Sequence, residues 1–378
     1  MNHLDPLIKN DSQKKILALD GGGIRGIITL EILAEIENLL RKKSENTEQF
    51  VLANYFDFVS GTSTGAIIAA CISAGMSVKN ITKFYEKSGE QMFDKAFVLN
   101  RFRYKYDDDN LAVLLQDVMH KELKGDTTLG SKHLKTLLMM VMRNATTDSP
   151  WSIWNNPYAK YNDRSRDDCN LNLPMWQLIR ASTAAPTYFP PQVVKIGPKE
   201  DKEFIFVDGG ITPYNNPAFQ TFLMATIEPH KLQWATGEDK MLIVSVGTGT
   251  SPDANKNLAP SEMNLMYNAT SLPSALMFAA LNEQDTLCRI FGKCLVGEPL
   301  DNDIGTLINS KGPIDKKMFT YIRYNAELST EGLNNLGLND INPKDVQKLD
   351  AVEHIEKLKK VGKAVAEKQI NIKHFESF

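Results

Sequence analysis

Two strand–turn–helix units with glycine-rich turns lie near the N-terminus, and they constrain the fold more than any other feature. Residues 14–20 are predicted to form a short buried strand that ends at Asp20, followed by a glycine cluster and an amphipathic helix. Residues 55–60 are predicted to form a second strand, which runs into the turn 61–65 and an apolar helix. Consecutive units of this kind predict an α/β fold with a mostly parallel central sheet flanked by helices.

The remaining elements extend this pattern without a repeat or a low-complexity linker. Further strands are predicted at 137–142, 204–210 and 241–249, a helix at 173–184, and a loop at 145–172. Asn342-Pro343 is a good helix start, and apolar residues spaced from Val346 to Val365 predict a C-terminal amphipathic helix. We expect residues 14–250 to form the core of one domain and residues 251–378 a helical elaboration packed on it.

Composition and charge narrow the classes of function. A net charge of −3 and a pI of about 6.1 argue against a general nucleic-acid-binding protein. The four cysteines form no CxxC pair, which argues against a zinc site and favours a reducing compartment. The polar N-terminus predicts no signal peptide, and no segment has the ~18 apolar residues of a transmembrane helix. We therefore expect a cytoplasmic protein that contacts membranes only transiently.

The loop from Asp20 to Gly26 follows a strand and opens a helix. Its glycines permit close approach of a ligand to the backbone, and amide groups at a helix start attract anions. The loop matches G-x-G-x-x-G, which occurs in dinucleotide-binding proteins, but residues 41–45 lack the acidic strand end of that fold. A dinucleotide phosphate, a transition-state oxyanion and a purely structural turn remain the three interpretations of this loop.

The turn Gly61-Thr62-Ser63-Thr64-Gly65 fits the G-x-S-x-G pattern between a strand and a helix. This is the setting of a nucleophile elbow, in which a sharp turn raises the serine hydroxyl above the sheet at a helix N-terminus. Ser63 is therefore the candidate nucleophile. The alternative is that Ser63 only caps the following helix.

A serine nucleophile needs a base, and the histidines offer no clear candidate. None of the six lies at a predicted strand end or in a glycine turn; they are His3, His120, His133, His230, His354 and His374. Asp208, in contrast, ends the predicted strand FIFV and precedes Gly209-Gly210. We expect its carboxylate at the carboxyl edge of the sheet, near Ser63, where partial burial would raise its pKa. A turn-forming Asp-Gly pair is the alternative.

The ordered motifs DGGGIRG (20–26), GTSTG (61–65) and DGG (208–210) resemble those of the patatin-like phospholipase family. The surrounding segments FDFVSGTSTGAIIAA, LPMWQLIRASTAAPTYFPP and FIFVDGGITPYNNPA are also similar to that family, so the resemblance covers about residues 14–250. It implies a three-layer α/β/α architecture with a catalytic core in that range. The motif glycines would be Gly21, Gly26, Gly61, Gly65, Gly209 and Gly210.

The resemblance also implies a chemistry. Ser63 would attack an acyl carbonyl and Asp208 would act as base, without histidine, metal or cofactor. Gly22 and Gly23 amides, with Arg25 nearby, would stabilise the oxyanion, and Asn215-Asn216-Pro217 would help shape the site. The substrate would be a membrane phospholipid or another lipid ester. Some bacterial members of the family degrade membranes in defence when a cyclic nucleotide binds, so such an activator is a further expectation, although no residue here identifies its site.

Two questions remain open at the level of sequence. Residues 146–168 contain Trp151, Trp154, Tyr158 and Tyr161 among polar residues, which is typical either of an interfacial lid or of a surface loop with partly buried aromatics. A nucleotide-binding oxidoreductase and a non-catalytic storage or interaction protein of the same fold are the alternatives to a lipid acyl hydrolase.

Overall fold

A computed structural model of the 378-residue chain describes most of its length. The described residues are 2–9, 11–44, 48–93, 113, 116–117, 120–121, 125, 127–186, 188–198, 202–252 and 258–378. The sequence also predicts helices over residues 78–125, with a solvated run at 106–109. That run and much of residues 94–126 lie outside the described residues.

The described strands and helices are numbered in chain order. The strands are β1 (Lys14–Leu19), β2 (Phe58–Thr62), β3 (Leu137–Asn144), β4 (Ser149–Trp154), β5 (Gln192–Lys195), β6 (Glu203–Asp208), β7 (Met241–Val246), β8 (Lys293–Val296) and β9 (Thr320–Tyr324). The α-helices are α1 (Asp5–Lys9), α2 (Gly26–Lys43), α3 (Thr64–Ser73), α4 (Val78–Phe93), α5 (Met175–Ser182), α6 (Ala218–Thr226), α7 (Leu265–Phe291), α8 (Thr330–Asn335), α9 (Pro343–Gln347) and α10 (Ile355–Gln369).

The strands form one mixed sheet in the order β5-β6-β3-β2-β1-β7-β9-β8, with β4 paired to β3. The six strands from β3 to β8 in this order are parallel to their neighbours, and β4, β5 and β6 add antiparallel pairs at one side. The predicted α/β class with a mostly parallel sheet is confirmed. We call the edge where the parallel strands end the carboxyl edge, and the opposite one the amino edge.

Helices cover both faces of this sheet, which gives three layers. Alternate residues of a strand point to opposite faces, so Leu17 and Leu19 of β1 pack with α2, α3 and α10 in one buried cluster. Ile16 and Ala18 pack with α6 and the C-terminal part of α7 in another. Because both faces are covered, the strands are almost continuously apolar, as buried parallel strands are.

Three predictions about elements need correction. The predicted loop 145–172 contains β4, whose pairing with β3 was hidden because Ser149 and Pro150 break the apolar pattern. Residues 251–378 are not only a helical elaboration, since β8 and β9 lie in the central sheet. The predicted C-terminal helix is divided into α9 and α10. Asn342 does cap its start, accepting a hydrogen bond from the Lys344 amide at 3.0 Å.

The strand β6 reaches the carboxyl edge in an unexpected way. It is antiparallel to β3 and overlaps it by three residue pairs, from Asn144 opposite Phe206 to Met142 opposite Asp208. The strand therefore enters from beyond the carboxyl edge and ends there. Asp208 thus lies at the edge of the sheet where the sequence predicts it.

The aromatic segment 146–168 lies away from the carboxyl edge over most of its length. Tyr158 donates a hydrogen bond to Asp5 of α1 at 2.6 Å, and α1 lies beside the start of β1, where Lys14 Nζ donates to the Leu7 carbonyl. Surface clefts of about 400 and 530 Å³ flank Tyr158 at this amino edge. Neither is lined by Ser63 or Asp208, so these clefts are distinct from the candidate site described next.

Candidate active site

Ser63 occupies a strained turn between β2 and α3. Its φ of 54° and ψ of −124° are unusual for a residue with a side chain, and such a conformation costs on the order of 1–3 kcal/mol. The neighbouring glycines make the turn possible, because a Cβ on Gly61 would lie 2.1 Å from the Gly65 carbonyl oxygen. A Cβ on Gly65 would lie 2.3 Å from the Leu19 carbonyl oxygen. The turn therefore has the form that the G-x-S-x-G pattern predicts.

The hydroxyl of Ser63 donates a hydrogen bond to Asp208 Oδ2 at 2.6 Å. The two side chains are 145 positions apart in sequence, and their residues are only 7% and 4% exposed. The other carboxylate oxygen, Oδ1, accepts from the Gly210 amide at 2.6 Å. Both oxygens of Asp208 are thus bound by neutral donors.

This environment gives Asp208 the properties of a base near neutral pH. Burial raises the pKa of its carboxyl group to about 6, while hydrogen bonds from Ser63 and Gly210 and the positive charge of Arg180 limit the rise. Burial disfavours the charged carboxylate, and neutral donors compensate less than a directly paired cation would. A base with a pKa close to the operating pH is efficient in proton transfer.

Ser182 fixes the turn at Ser63 through two hydrogen bonds. Its role was not recognised in the sequence. Its Oγ accepts from the Ser63 amide at 2.9 Å and donates to the Val141 carbonyl at 2.5 Å. The amide of Ser63 is therefore occupied and unavailable to an oxyanion. A serine in the segment RASTAAP carries no local signal for this position, because the contact joins α5 to β2 and β3.

The glycine loop lies directly against the turn. A Cβ on Gly21 would lie 3.2 Å from the Ser63 Cβ, so any larger residue would crowd Ser63. The Gly21 amide donates to the Asn215 carbonyl at 3.2 Å, and its carbonyl accepts from Thr248 Oγ1 at 2.9 Å. Among the described residues, the Gly22 and Gly23 amides donate to no protein acceptor. They are therefore available to an anion.

Arg25 adds a buried positive charge to this loop. Its guanidinium donates to the Gln347 carbonyl at 3.3 Å, and its Nε has no hydrogen-bond partner within the described chain. Burial lowers the pKa of Arg25 to about 10, with the charge of Asp20 opposing the shift, so the group remains a cation at neutral pH.

A buried ion-pair network holds Asp20, the first residue of the glycine loop, in place. Asp20 accepts two hydrogen bonds from Arg323, one of them at 2.9 Å, and Arg323 also donates to Ser245 at 2.7 Å. Asp285 lies 3.9 Å from Arg323 and forms a bidentate pair with Arg289, at 2.9 and 2.6 Å. No local sequence pattern marks this network, because Asp20 directly follows β1 and its partners come from β7, β9 and α7.

The geometry also bears on the dinucleotide interpretation of residues 20–26. The Ile24 amide donates to the Leu349 carbonyl at 3.0 Å, and a Cβ on Gly23 would lie 2.2 Å from that same oxygen. The chain between α9 and α10 therefore covers part of the loop that a pyrophosphate would occupy. This cover, and the lack of an acidic strand end, disfavour a dinucleotide site.

No histidine takes part in the site within the described part of the chain. His3 contacts the Leu134 carbonyl, His374 contacts Tyr324, and His354 lies near Asp345. The four cysteines are buried, and the described residues hold no cluster of three His, Cys, Asp or Glu suited to a metal ion.

Comparison with known proteins adds an independent line of information. A family model described as patatin-like phospholipase matches residues 17–222, a range that contains the glycine loop, Ser63 and Asp208. Patatin-17 from Solanum cardiophyllum is 28% identical over 324 residues, which cover 76% of this chain and 78% of that protein. Patatin-T5 from Solanum tuberosum is 28% identical over 319 residues, with the same coverage of both chains.

Among solved structures, human GIVD cytosolic phospholipase A2 aligns with 96% of this chain at 12% identity and a TM-score of 0.44. The chain spans 60% of the length of that structure. A likeness at this level supports no conclusion about activity.

Proposed function

Because the chain belongs to the patatin-like phospholipase family, we propose that it hydrolyses carboxylic ester bonds of lipids with Ser63 as nucleophile and Asp208 as base. The observation that carries this proposal is the 2.6 Å hydrogen bond between Ser63 Oγ and Asp208 Oδ2, in a buried pair without histidine. A nucleophile within hydrogen-bond reach of its base is the minimum arrangement for acyl transfer.

The reaction would proceed in two steps. In the first, Asp208 accepts the Ser63 proton as Oγ attacks the acyl carbonyl, and the tetrahedral intermediate expels the alcohol, which takes the proton from Asp208. In the second, Asp208 accepts a proton from water as that water attacks the acyl-enzyme. The fatty acid then leaves and the proton returns to Ser63, so that one water is consumed for each ester cleaved.

The developing negative charge would be stabilised by the glycine loop. The amides of Gly22 and Gly23 have no protein acceptor in the described chain, and the charged Arg25 lies in the same loop. The first turn of α3, which follows Ser63 directly, adds the positive end of a helix dipole. Each preorganised donor of this kind typically contributes about 3–4 kcal/mol to transition-state stabilisation.

The substrate class is inferred from the family. Among the described residues, no helix is long and apolar enough to cross a membrane. We propose that the protein reaches lipid esters by peripheral contact.

The test is covalent labelling with a fluorophosphonate, followed by mass spectrometry of the modified peptide. We expect the label on Ser63 and its loss in Ser63→Ala, with hydrolysis of a short-chain p-nitrophenyl ester reduced at least about 10³-fold. Ser12→Ala, at an exposed position, is the matched control. Wild-type protein that neither reacts with the probe nor cleaves any ester would instead favour a non-catalytic storage or interaction protein.

A further inference from the structure

The N-terminal half of α7 exposes apolar side chains to solvent. Leu272 and Leu276 are 54% and 55% exposed, and Met263, just before the helix, is 55% exposed. We call these three residues the apolar rim. The surrounding segment 263–281 contains no acidic or basic residue. Leu272 and Leu276 are one turn apart on α7, and neighbouring exposed apolar residues in an uncharged segment are typical of an interaction surface.

The Leu276 end of the rim lies next to the candidate active site. Met277 follows Leu276 directly, and its methyl group would be 3.1 Å from a Cβ on Gly210, the residue whose amide donates to Asp208. The Met277 carbonyl accepts from Asn215 Nδ2 at 3.5 Å, and α7 packs against the turn 209–211. The exposed surface is thus continuous with the wall of the site.

The other half of α7 is firmly anchored. Asp285 and Arg289 form the bidentate pair described above, and Tyr321 donates a hydrogen bond to Asp285 at 3.0 Å. Cys288 is completely buried in the core below the sheet. The apolar rim therefore lies at the exposed N-terminal end of α7, while the C-terminal half of that helix is bound to β9.

A lipid ester must leave a membrane or micelle to reach the buried Ser63. The position of the apolar rim suits this transfer. Ser63 and Asp208 are nearly inaccessible to water, whereas a long acyl chain needs an apolar surface along its route. We propose that the apolar rim docks on a bilayer of zwitterionic phospholipid and brings the glycine loop and Ser63 to its surface. This inference rests on the proposed function, since it assigns the surface from which that substrate arrives.

The absence of charge in segment 263–281 makes the inference specific. Docking by apolar burial alone is insensitive to ionic strength, whereas attraction to anionic lipids weakens as salt screens it. We therefore expect binding to vesicles of pure phosphatidylcholine, and little change when phosphatidylglycerol is added or when salt is raised.

The closing experiment uses vesicle sedimentation and two activity assays on the full chain. In the double variant Leu272→Ser/Leu276→Ser we expect at least about tenfold weaker binding to phosphatidylcholine vesicles. We also expect a tenfold lower ratio of vesicle hydrolysis to hydrolysis of a soluble short-chain ester. Ile227→Ser is the matched control, because Ile227 is 42% exposed in the turn after α6 that leads to the amino edge.

The outcomes separate this inference from the proposed function. An unchanged ratio and unchanged vesicle binding would overturn the docking surface while leaving the hydrolase proposal intact. If the wild type hydrolyses no ester, the hydrolase proposal fails. Vesicle binding would still test the docking surface in that case, because it can be measured with Ser63→Ala protein, which does not depend on catalysis. If the double variant instead converts a dimer to a monomer with vesicle binding unchanged, the rim is an interface between copies and the docking proposal fails.

A second readout guards against misfolding of the double variant. A polarity-sensitive fluorophore attached to Leu272→Cys should shift to shorter wavelength on addition of phosphatidylcholine vesicles, since the four native cysteines are buried. The same probe on Ile227→Cys should not shift. A shift at both positions, or at neither, would contradict the proposal.

Discussion

The triplet Asp-Gly-Gly occurs at two strand ends of this molecule, once after β1 and once after β6, with opposite surroundings. Asp20 is bound by the guanidinium of Arg323, whereas Asp208 is bound by the hydroxyl of Ser63 and the amide of Gly210. Burial raises the pKa of both carboxyl groups. At Asp20 the charge and the hydrogen bonds of the paired Arg323 oppose the rise in pKa.

The difference teaches that the partner decides the role of a buried carboxylate. Asp20 is paired with the cation Arg323, and this pair joins the start of the glycine loop to β9. Asp208 has only neutral donors, so its proton affinity lies near neutral pH and it can serve as a base. Each of the predictions that follow tests one side of this contrast.

The largest effect is expected when the carboxylate beside the serine is replaced. Asp208→Asn should lower kcat/KM for ester hydrolysis by about 10²–10⁴-fold, because the amide cannot accept the Ser63 proton. Steady-state kinetics on a soluble ester, with Asp163→Asn at an exposed loop position as control, measures this. Near-wild-type activity would show that Asp208 is not the base. The proposed chemical difference between Asp208 and Asp20 would then fail.

The same variant should not lose stability. A carboxyl group whose pKa rises on folding contributes stability below its unfolded pKa of 3.8, and this contribution is lost as the pH rises through about 6. Removing the ionisable group at pH 8 should therefore raise the free energy of unfolding by up to about 3 kcal/mol. Denaturant unfolding measures it, and a clear loss of stability would contradict the assignment of neutral surroundings.

The second effect concerns the paired carboxylate. Arg323→Met should lower the free energy of unfolding by about 3–5 kcal/mol, because it leaves Asp20 buried without its cation. Arg143→Met is the control, since Arg143 pairs with the exposed Asp148 at the surface and such pairs contribute about 0–1 kcal/mol. Equal losses in the free energy of unfolding would mean that the buried pair of Asp20 with Arg323 stabilises the protein no more than the surface pair of Arg143 with Asp148.

The smallest effect is the dependence of activity on pH. With the pKa of Asp208 at about 6, kcat/KM should fall about tenfold per pH unit well below that value, as the base becomes protonated. Above pH 7 it should be flat. A pH profile of soluble ester hydrolysis in wild-type protein checks this. A midpoint near 4 would mean that Asp208 is as acidic as an ordinary surface carboxylate.

The sequence predicted what local chemistry determines. The glycine loop, the turn at Ser63 and the helices that follow them each depend on a short run of residues, and their form follows from glycine content and apolar spacing. That Ser63 and Asp208 would come together was an expectation based on the edge of the sheet. The structure brings them to 2.6 Å.

Contacts between distant segments could not be predicted in the same way. The direction of β6 depends on its pairing with β3, and nothing within FIFVDGG encodes it. Arg323 lies in a strand, β9, that the sequence did not assign, so its pairing with Asp20 was also missed. Ser182 escaped notice because its function lies in two hydrogen bonds to other elements.

The segment from Gln347 to Leu349, which interrupts the C-terminal helix, has a consequence for how the chain can be divided. Its carbonyl groups hold Arg25 and Ile24, and the β9 residue Arg323 neutralises Asp20. A fragment that ended near residue 250 would retain Ser63, Asp208 and every motif glycine. It would nevertheless lack the groups that shape the glycine loop. The last third of the polypeptide therefore completes a site whose Ser63, Asp208 and glycine motifs all lie in the first two thirds.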